Sequence, residues 1–129
     1  MDAPRTAGDW AYLREGNETI AAYSAPGGAP LFTLRCDPAR RQVAIIRAMS
    51  VQSAEELMMR ILTETSERIL AAQPVAAPSS MASATLSASD PLLDAMAFSK
   101  GRFAVEAAGL DTLYLPSWIE LSRVIEDCR

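Results

Sequence analysis

Two cysteines, Cys36 and Cys128, restrict the possible folds of this chain more than any other feature. They lie 92 residues apart, and the sequence has no third cysteine. Cys36 ends a strand-like run at residues 31–36, and Cys128 ends a helix-like run that starts at Trp118. If they pair, the bond ties the last helix to an early strand and indicates an oxidising compartment. Alternatively, both are unpaired and fill the core as small apolar side chains.

The patterns around the cysteines place both on buried faces. Phe32, Leu34 and Cys36 alternate with Thr33 and Arg35, so Cys36 shares the apolar face of its strand. In the last helix, spacings of three and four residues produce one stripe, formed by Trp118, Leu121, Ile125 and Cys128. We therefore predict a Cys36–Cys128 disulfide between that helix and the third strand.

Short strands separated by turn residues fill most of the chain. Gly16-Asn17 predicts a hairpin over residues 10–24, and Asp37-Pro38 predicts a turn between strands at 31–36 and 42–48. Further strands are predicted at 60–63, 68–71, 81–87, 102–107 and 112–115.

Helices are predicted only late in the chain. Asp90 and Pro91 are typical of a helix start and predict a short helix that ends near Lys100-Gly101. Ser117 and Glu120 have capping-box spacing and predict the start of the final helix. Residues 53–62 are ambiguous, because Ser53 and Glu56 also fit a capping box while the same stretch can be a loop that leads into a strand.

These elements predict a single, mainly β domain at 10–129, preceded by a flexible lead-in at 1–9. The expected architecture is an antiparallel β-sandwich or barrel-like sheet of seven to nine strands. A short internal helix and a C-terminal helix would pack on it.

Composition excludes several classes of function. The net charge of −4 and pI near 4.8 offer no electrostatic basis for nucleic-acid binding. The absence of histidine removes the usual zinc sites and Ser-His-Asp triads, so we expect no metal and no cofactor. No apolar stretch is long enough for a membrane span. The first residues lack a signal peptide, which we interpret as a removed leader; a cytosolic protein is the alternative.

Two groups of charged residues are candidates for function. Acidic pairs at Glu55-Glu56, Glu64/Glu67 and Asp90/Asp94 could serve a small carboxylate-based enzyme, although caps and solvated faces explain such acids as well. A second group around one predicted hairpin could bind an anionic ligand or acidic partner, and comprises Arg35, Arg40, Arg41 and Arg47. Alternatively, these arginines keep an exposed strand edge soluble.

The two ends of the chain resemble small exported bacterial envelope proteins. The relevant features are an early Trp10 strand, the run Leu-x-x-Leu-Arg-Cys36-Asp, a Phe103-x-Val-x-x-x-Gly109-Leu segment, and a helix that ends in Cys128. This pattern is similar to periplasmic accessory proteins associated with type VI secretion and to the invasion-associated locus B family. The resemblance implies a β-sandwich or barrel-like fold with one disulfide, and it transfers no catalytic residue.

The sequence therefore favours a non-enzymatic periplasmic or otherwise exported module that binds another protein or an envelope component. The alternatives are the carboxylate-based enzyme and a cytosolic regulatory domain.

Overall fold

A computed structural model describes residues 3–50, 54–76 and 80–129. In these ranges the chain forms nine strands and two short helices, which confirms the predicted mainly β class. The strands are β1 (Asp9–Glu15), β2 (Glu18–Ser24), β3 (Pro30–Asp37), β4 (Gln42–Ala48), β5 (Leu57–Leu62), β6 (Glu67–Pro74), β7 (Met81–Ser87), β8 (Arg102–Ala107) and β9 (Leu113–Pro116). The helices are α1 (Pro91–Ala97) and α2 (Ile119–Asp127).

The strands form one curled antiparallel sheet in the order β1-β2-β3-β4-β7-β6-β5-β8-β9. Its inner face carries the alternate apolar side chains of every strand. Phe32 of β3 and Phe103 of β8 meet edge to face across the interior, with ring centroids 6.0 Å apart. Because these strands are far apart in the sheet order, this contact shows that the sheet curls around a single core.

The curled sheet has two different ends. The helical end holds α1, α2 and the tight turns that follow β1, β3 and β5. The loop end holds the described residues of the longer links, which are 25–29, 49–50, 54–56, 75–76, 80 and 108–112. Leu121, Val124 and Ile125 of α2 are buried at the helical end, so one end of the core is covered by helix.

The two helices begin in different ways. Asp90 caps α1 by accepting a hydrogen bond from the Leu92 amide at 2.9 Å, and Pro91 occupies the first turn, as predicted. The capping box predicted at Ser117 is wrong, because Trp118 is the N-cap of α2 and its side chain makes no capping bond. The Ser117 hydroxyl instead donates to the Met96 carbonyl at 2.7 Å, so it joins the start of α2 to α1.

The ambiguous middle segment is a strand over Leu57–Leu62. Met59 and Ile61 are fully buried while their neighbours are not, which is the period of a strand rather than a helix. The helical alternative is therefore wrong for this range, and its predicted cap Ser53 lies outside the described residues. The echo between 60–63 and 68–71 corresponds to the antiparallel β5–β6 pair.

The segment predicted as a flexible lead-in is bonded to the sheet from Ala3 onward. The Thr6 amide donates to the Tyr114 carbonyl at 2.9 Å, and the Ala3 carbonyl accepts from Arg102 at 2.6 Å. Residue 3 contacts the sheet nearer the helical end than residue 6 does. The segment therefore runs antiparallel to β9, and at Gly8 the chain turns into β1. It therefore occupies the seam between the first and last strands.

Candidate functional site

The two cysteines form a disulfide that joins β3 to the end of α2. Their Cα atoms are 5.6 Å apart, and both residues are buried. The strand alternation and the helical stripe had placed both cysteines inward, and the structure brings them together there. The pair braces the helical end of the sheet.

The four candidate arginines do not form one surface. Arg35 lies on the outer face of β3 and pairs with Glu15 and Glu18. The hydrogen bond from its guanidinium to Glu18 raises the pKa of Arg35 and outweighs the opposing effect of burial. Arg40 pairs with Asp37 at 3.1 Å within the β3–β4 turn.

The other two arginines are separated by the length of β4. Arg41 adopts a positive φ of 52° in the β3–β4 turn and is exposed. Arg47 lies near the loop end on the inner face of β4, between Phe32 and Ala82 on the neighbouring strands. The β3–β4 hairpin is also internal to the sheet, so solubility of a strand edge does not explain these arginines.

Arg47 is unusual because its guanidinium is buried in the core wall. The residue is only 3% exposed, and it donates to the carbonyl oxygens of Val105 at 3.2 Å and of Asp111. Burial lowers the pKa of Arg47, and the charge of Asp111 only partly opposes this shift. Arg47 lies two and four positions after Ile45 and Val43, on the same face of the strand, and this spacing was the sequence signal for its inward position.

The acidic pairs considered for catalysis are engaged in structural contacts. Three of these acids form ion pairs: Asp90 with Arg68, Asp94 with Arg129 and Glu67 with Arg60. Glu64 accepts a hydrogen bond from the Lys100 amide, and Glu56 accepts one from the Gln73 side chain. No three acidic or cysteine side chains converge as metal ligands within the described ranges.

Three large apolar side chains are exposed at the helical end on two chain segments that are bonded to each other, and we call them the apolar patch: Phe98, Trp118 and Ile119. Phe98 is 77% exposed, Ile119 is 76% exposed and Trp118 is 38% exposed. The Ser117–Met96 hydrogen bond holds their segments together, because each patch residue lies within two positions of a bonded residue. The patch is therefore built on two helix ends that are fixed to each other.

The geometry of α2 explains why Ile119 cannot be buried. Leu121, Val124 and Ile125 form its buried face, and Ile119 lies two positions before Leu121, which is about 200° around a helix. Trp118 had been placed in the buried stripe, but as N-cap it turns partly outward. The position of Ile119, about 200° around the helix from Leu121, was the signal in the sequence for its exposure.

Cationic side chains lie beside the patch. The guanidinium carbon of Arg5 lies 4.9 Å from the ring centroid of Trp118, a cation–π geometry. Lys100 follows Phe98 by two positions and is exposed, and neither cation forms an ion pair within the ranges that the structure covers. Acidic side chains lie there as well: Glu120 directly follows Ile119, and Glu64 bonds the Lys100 amide and lines a surface depression with Phe98, so the rim carries both signs.

No family model, curated protein or solved structure matches this chain. Among the residues that the structure places, no helix is both long and apolar enough to cross a membrane.

Proposed function

We propose that the protein is a non-enzymatic module of the bacterial envelope that binds another protein through the apolar patch. The observation that carries this proposal is the exposure of Phe98 and Ile119, each more than three quarters accessible on a braced scaffold. Large exposed apolar clusters on a folded domain mark interaction sites. Aromatic side chains in such clusters commonly dominate the binding energy.

The rigidity of the surroundings supports a preformed docking surface. α2 is anchored at its last turn by the disulfide and at its start by the Ser117–Met96 bond. The C-terminal Arg129 also bonds the Ala88 carbonyl and pairs with Asp94, which ties the end of the chain to α1. A surface fixed at both ends loses little conformational entropy when a partner binds.

The partner surface that fits is apolar at its centre and carries charges of both signs at its edge. Arg5 has no ion-pair partner among the described residues, so a carboxylate on the partner would complement it, and a cation would complement Glu120. We propose that the partner is a protein of this chemistry. A second copy of the chain and a lipid surface are the competing partners that the crosslinking experiment below distinguishes.

The proposal includes a location in an oxidising compartment outside the cytosol. The disulfide supports it, because such bonds persist outside the reducing cytosol. The resemblance of the two ends of the chain to exported envelope proteins also supports it. Thiol labelling of the protein taken from its host checks this point: we expect both cysteines to be blocked, whereas two free thiols would favour the cytosolic alternative.

Photocrosslinking in the host tests the docking surface. Benzoylphenylalanine replaces Phe98 in one variant, Ile119 in a second and Ile69 in a matched control, since Ile69 is also exposed but lies on β6. We expect one protein adduct of the same mass from positions 98 and 119 and none from position 69. Adding Ile119→Asp should abolish the adduct formed at position 98.

The partner identified in this way is then measured with purified proteins. The double variant F98S/I119S should bind at least about tenfold more weakly, since hot-spot side chains contribute this much or more. Its stability should remain within about 0.5 kcal/mol of wild type, because both side chains are exposed. Adducts formed only with a second copy or with lipid, or unchanged affinity in the double variant, would overturn the proposal.

A further inference from the structure

A separate feature at the loop end is a cavity of about 450 Å³ beside Arg47. Its walls are mostly aliphatic, with Leu31, Met49, Leu110 and Leu113, and its polar groups include Thr6 and Asp111. A cavity of this size at the mouth of a curled sheet, apolar with a few polar groups, is typical of a small-molecule site.

Arg47 brings a positive charge to the wall of this cavity. Among the described residues its hydrogen-bond acceptors are the carbonyl oxygens of Val105 and Asp111, which are neutral. A buried cation is unfavourable unless an opposite charge compensates it. The charge of Asp111, on the same cavity wall, supplies only part of that compensation. An anionic group in the cavity would add to it, in surroundings where water screens the attraction less than at the surface.

Thr6 offers a second donor on the same wall. Its hydroxyl oxygen accepts a hydrogen bond from the Tyr114 amide at 2.8 Å. The hydroxyl hydrogen is directed to no acceptor among the described residues and can therefore donate. One guanidinium and one hydroxyl are enough to orient a carboxylate.

We propose that this cavity binds a monocarboxylate with an unbranched aliphatic tail. The carboxylate would lie against Arg47 and Thr6, and the tail would run along Met49 and Leu110. Asp111 also lines the cavity, so a dianionic headgroup such as a phosphate monoester would be repelled more strongly than a carboxylate. The proposal does not depend on the apolar patch.

A second cavity extends the path available to the tail. It measures about 430 Å³ and shares Met49, Ser50 and Leu110 with the first. Leu57 and Met58 add apolar surface on its far side. Longer tails should therefore bind more tightly than short ones, because each methylene removes further apolar area from water.

Calorimetry on the full chain tests the proposal with butyrate, octanoate and decanoate, all below their micelle concentrations. We expect saturable one-to-one binding that strengthens from butyrate to decanoate. Decanol, which has the same tail without the charge, should bind about tenfold more weakly or worse, because a charge-assisted hydrogen bond is lost. Equal binding of decanol and decanoate, or no saturable binding of any carboxylate, would overturn the proposal.

Variants locate the binding to this cavity. Arg47→Gln should weaken decanoate binding by about tenfold or more. Since that change also removes bonds to two carbonyls, Leu110→Trp tests the cavity independently by filling its mouth from an exposed turn, and it should abolish binding. Ile69→Ser and F98S/I119S should bind decanoate like wild type; loss of binding in these controls, or normal binding in Leu110→Trp, contradicts the assignment.

Discussion

The indole N–H of Trp10 donates to the carbonyl oxygen of Pro116 at 2.7 Å, across 106 residues of sequence. This bond joins β1, the first strand of the sheet, to the end of β9, the last. Trp10 also packs edge to face on Tyr23, with ring centroids 5.2 Å apart. The seam of the curled sheet is therefore held by side chains as well as by the segment at 3–8.

Replacing Trp10 with Phe should destabilise the fold. The variant keeps an aromatic ring but leaves the Pro116 carbonyl without its donor, which costs about 1–3 kcal/mol for a buried group. Urea unfolding measures the free-energy difference. Leu13→Ala, on the same strand but half-exposed, should change stability by less than about 0.5 kcal/mol and is the control. Equal stability of the two variants would show that the bond does not hold the seam.

Gly8 should tolerate substitution much less well than Gly16. Gly8 has a φ of 147°, and a Cβ there would lie 2.3 Å from the Ser24 carbonyl oxygen. Gly16 also has a positive φ, but its Cβ would meet nothing within 4 Å. We expect Gly8→Ala to cost several kcal/mol and Gly16→Ala about 1 kcal/mol. Thermal and urea unfolding of both variants, compared side by side, check the order; the reverse order would contradict it.

Breaking the disulfide should remove a large part of the stability. The bond closes a loop of 92 residues, and chain entropy alone assigns about 4–5 kcal/mol to a loop of this length. Urea unfolding with and without reductant measures the loss. The double variant C36A/C128A should show the same low stability under both conditions. A wild type unaffected by reductant would contradict the assigned role.

Asp90 should make the protein sensitive to acid. Burial alone would raise its pKa, but hydrogen bonds from Arg68 and the Leu92 amide, with the charge of Arg68, leave the pKa below its ordinary value of 3.8. Charged Asp90 therefore stabilises the fold fully at pH values above its ordinary pKa of 3.8. This stabilisation is lost as the pH falls from that value toward the lower pKa of the folded state.

Urea unfolding between pH 6 and about pH 3 measures this loss. Asp90→Asn should flatten the decline while keeping a side-chain cap for α1. Arg68→Gln should flatten it in part, because it removes the main source of the pKa depression. An Asp90→Asn curve parallel to that of wild type would contradict the prediction.

Local periodicity was sufficient to predict much of the inner face. The alternation at 31–36 placed Cys36 inward, and the stripe of the last helix placed Cys128 inward, so their meeting followed from two local patterns. The same alternation, applied to Arg47, predicts the inward position that the structure shows. Arg47 lies on the same face of its strand as Val43 and Ile45, but arginine side chains are usually exposed.

The order of the strands could not be derived in the same way. β7 pairs with β4 across a separation of more than thirty residues, and β5–β6 lies beyond it in the sheet. Such pairings depend on the packing of the whole core rather than on any nearby turn. The apolar patch was missed for a related reason: the segments that carry Phe98 and Ile119 are joined by a bond between Ser117 and Met96, which are distant in sequence.

The covalent link between Cys36 and Cys128 also decides how the molecule would carry mechanical force. Tension applied between residues 3 and 129 would pass along the chain to Cys36, cross the sulfur bridge, and leave after Cys128. The backbone of the strands from β4 to β9 lies outside this covalent path, and the extensible part would reach at most about 120 Å. A pull on residues 3 and 129 therefore cannot extend the backbone between the two cysteines while the disulfide is intact.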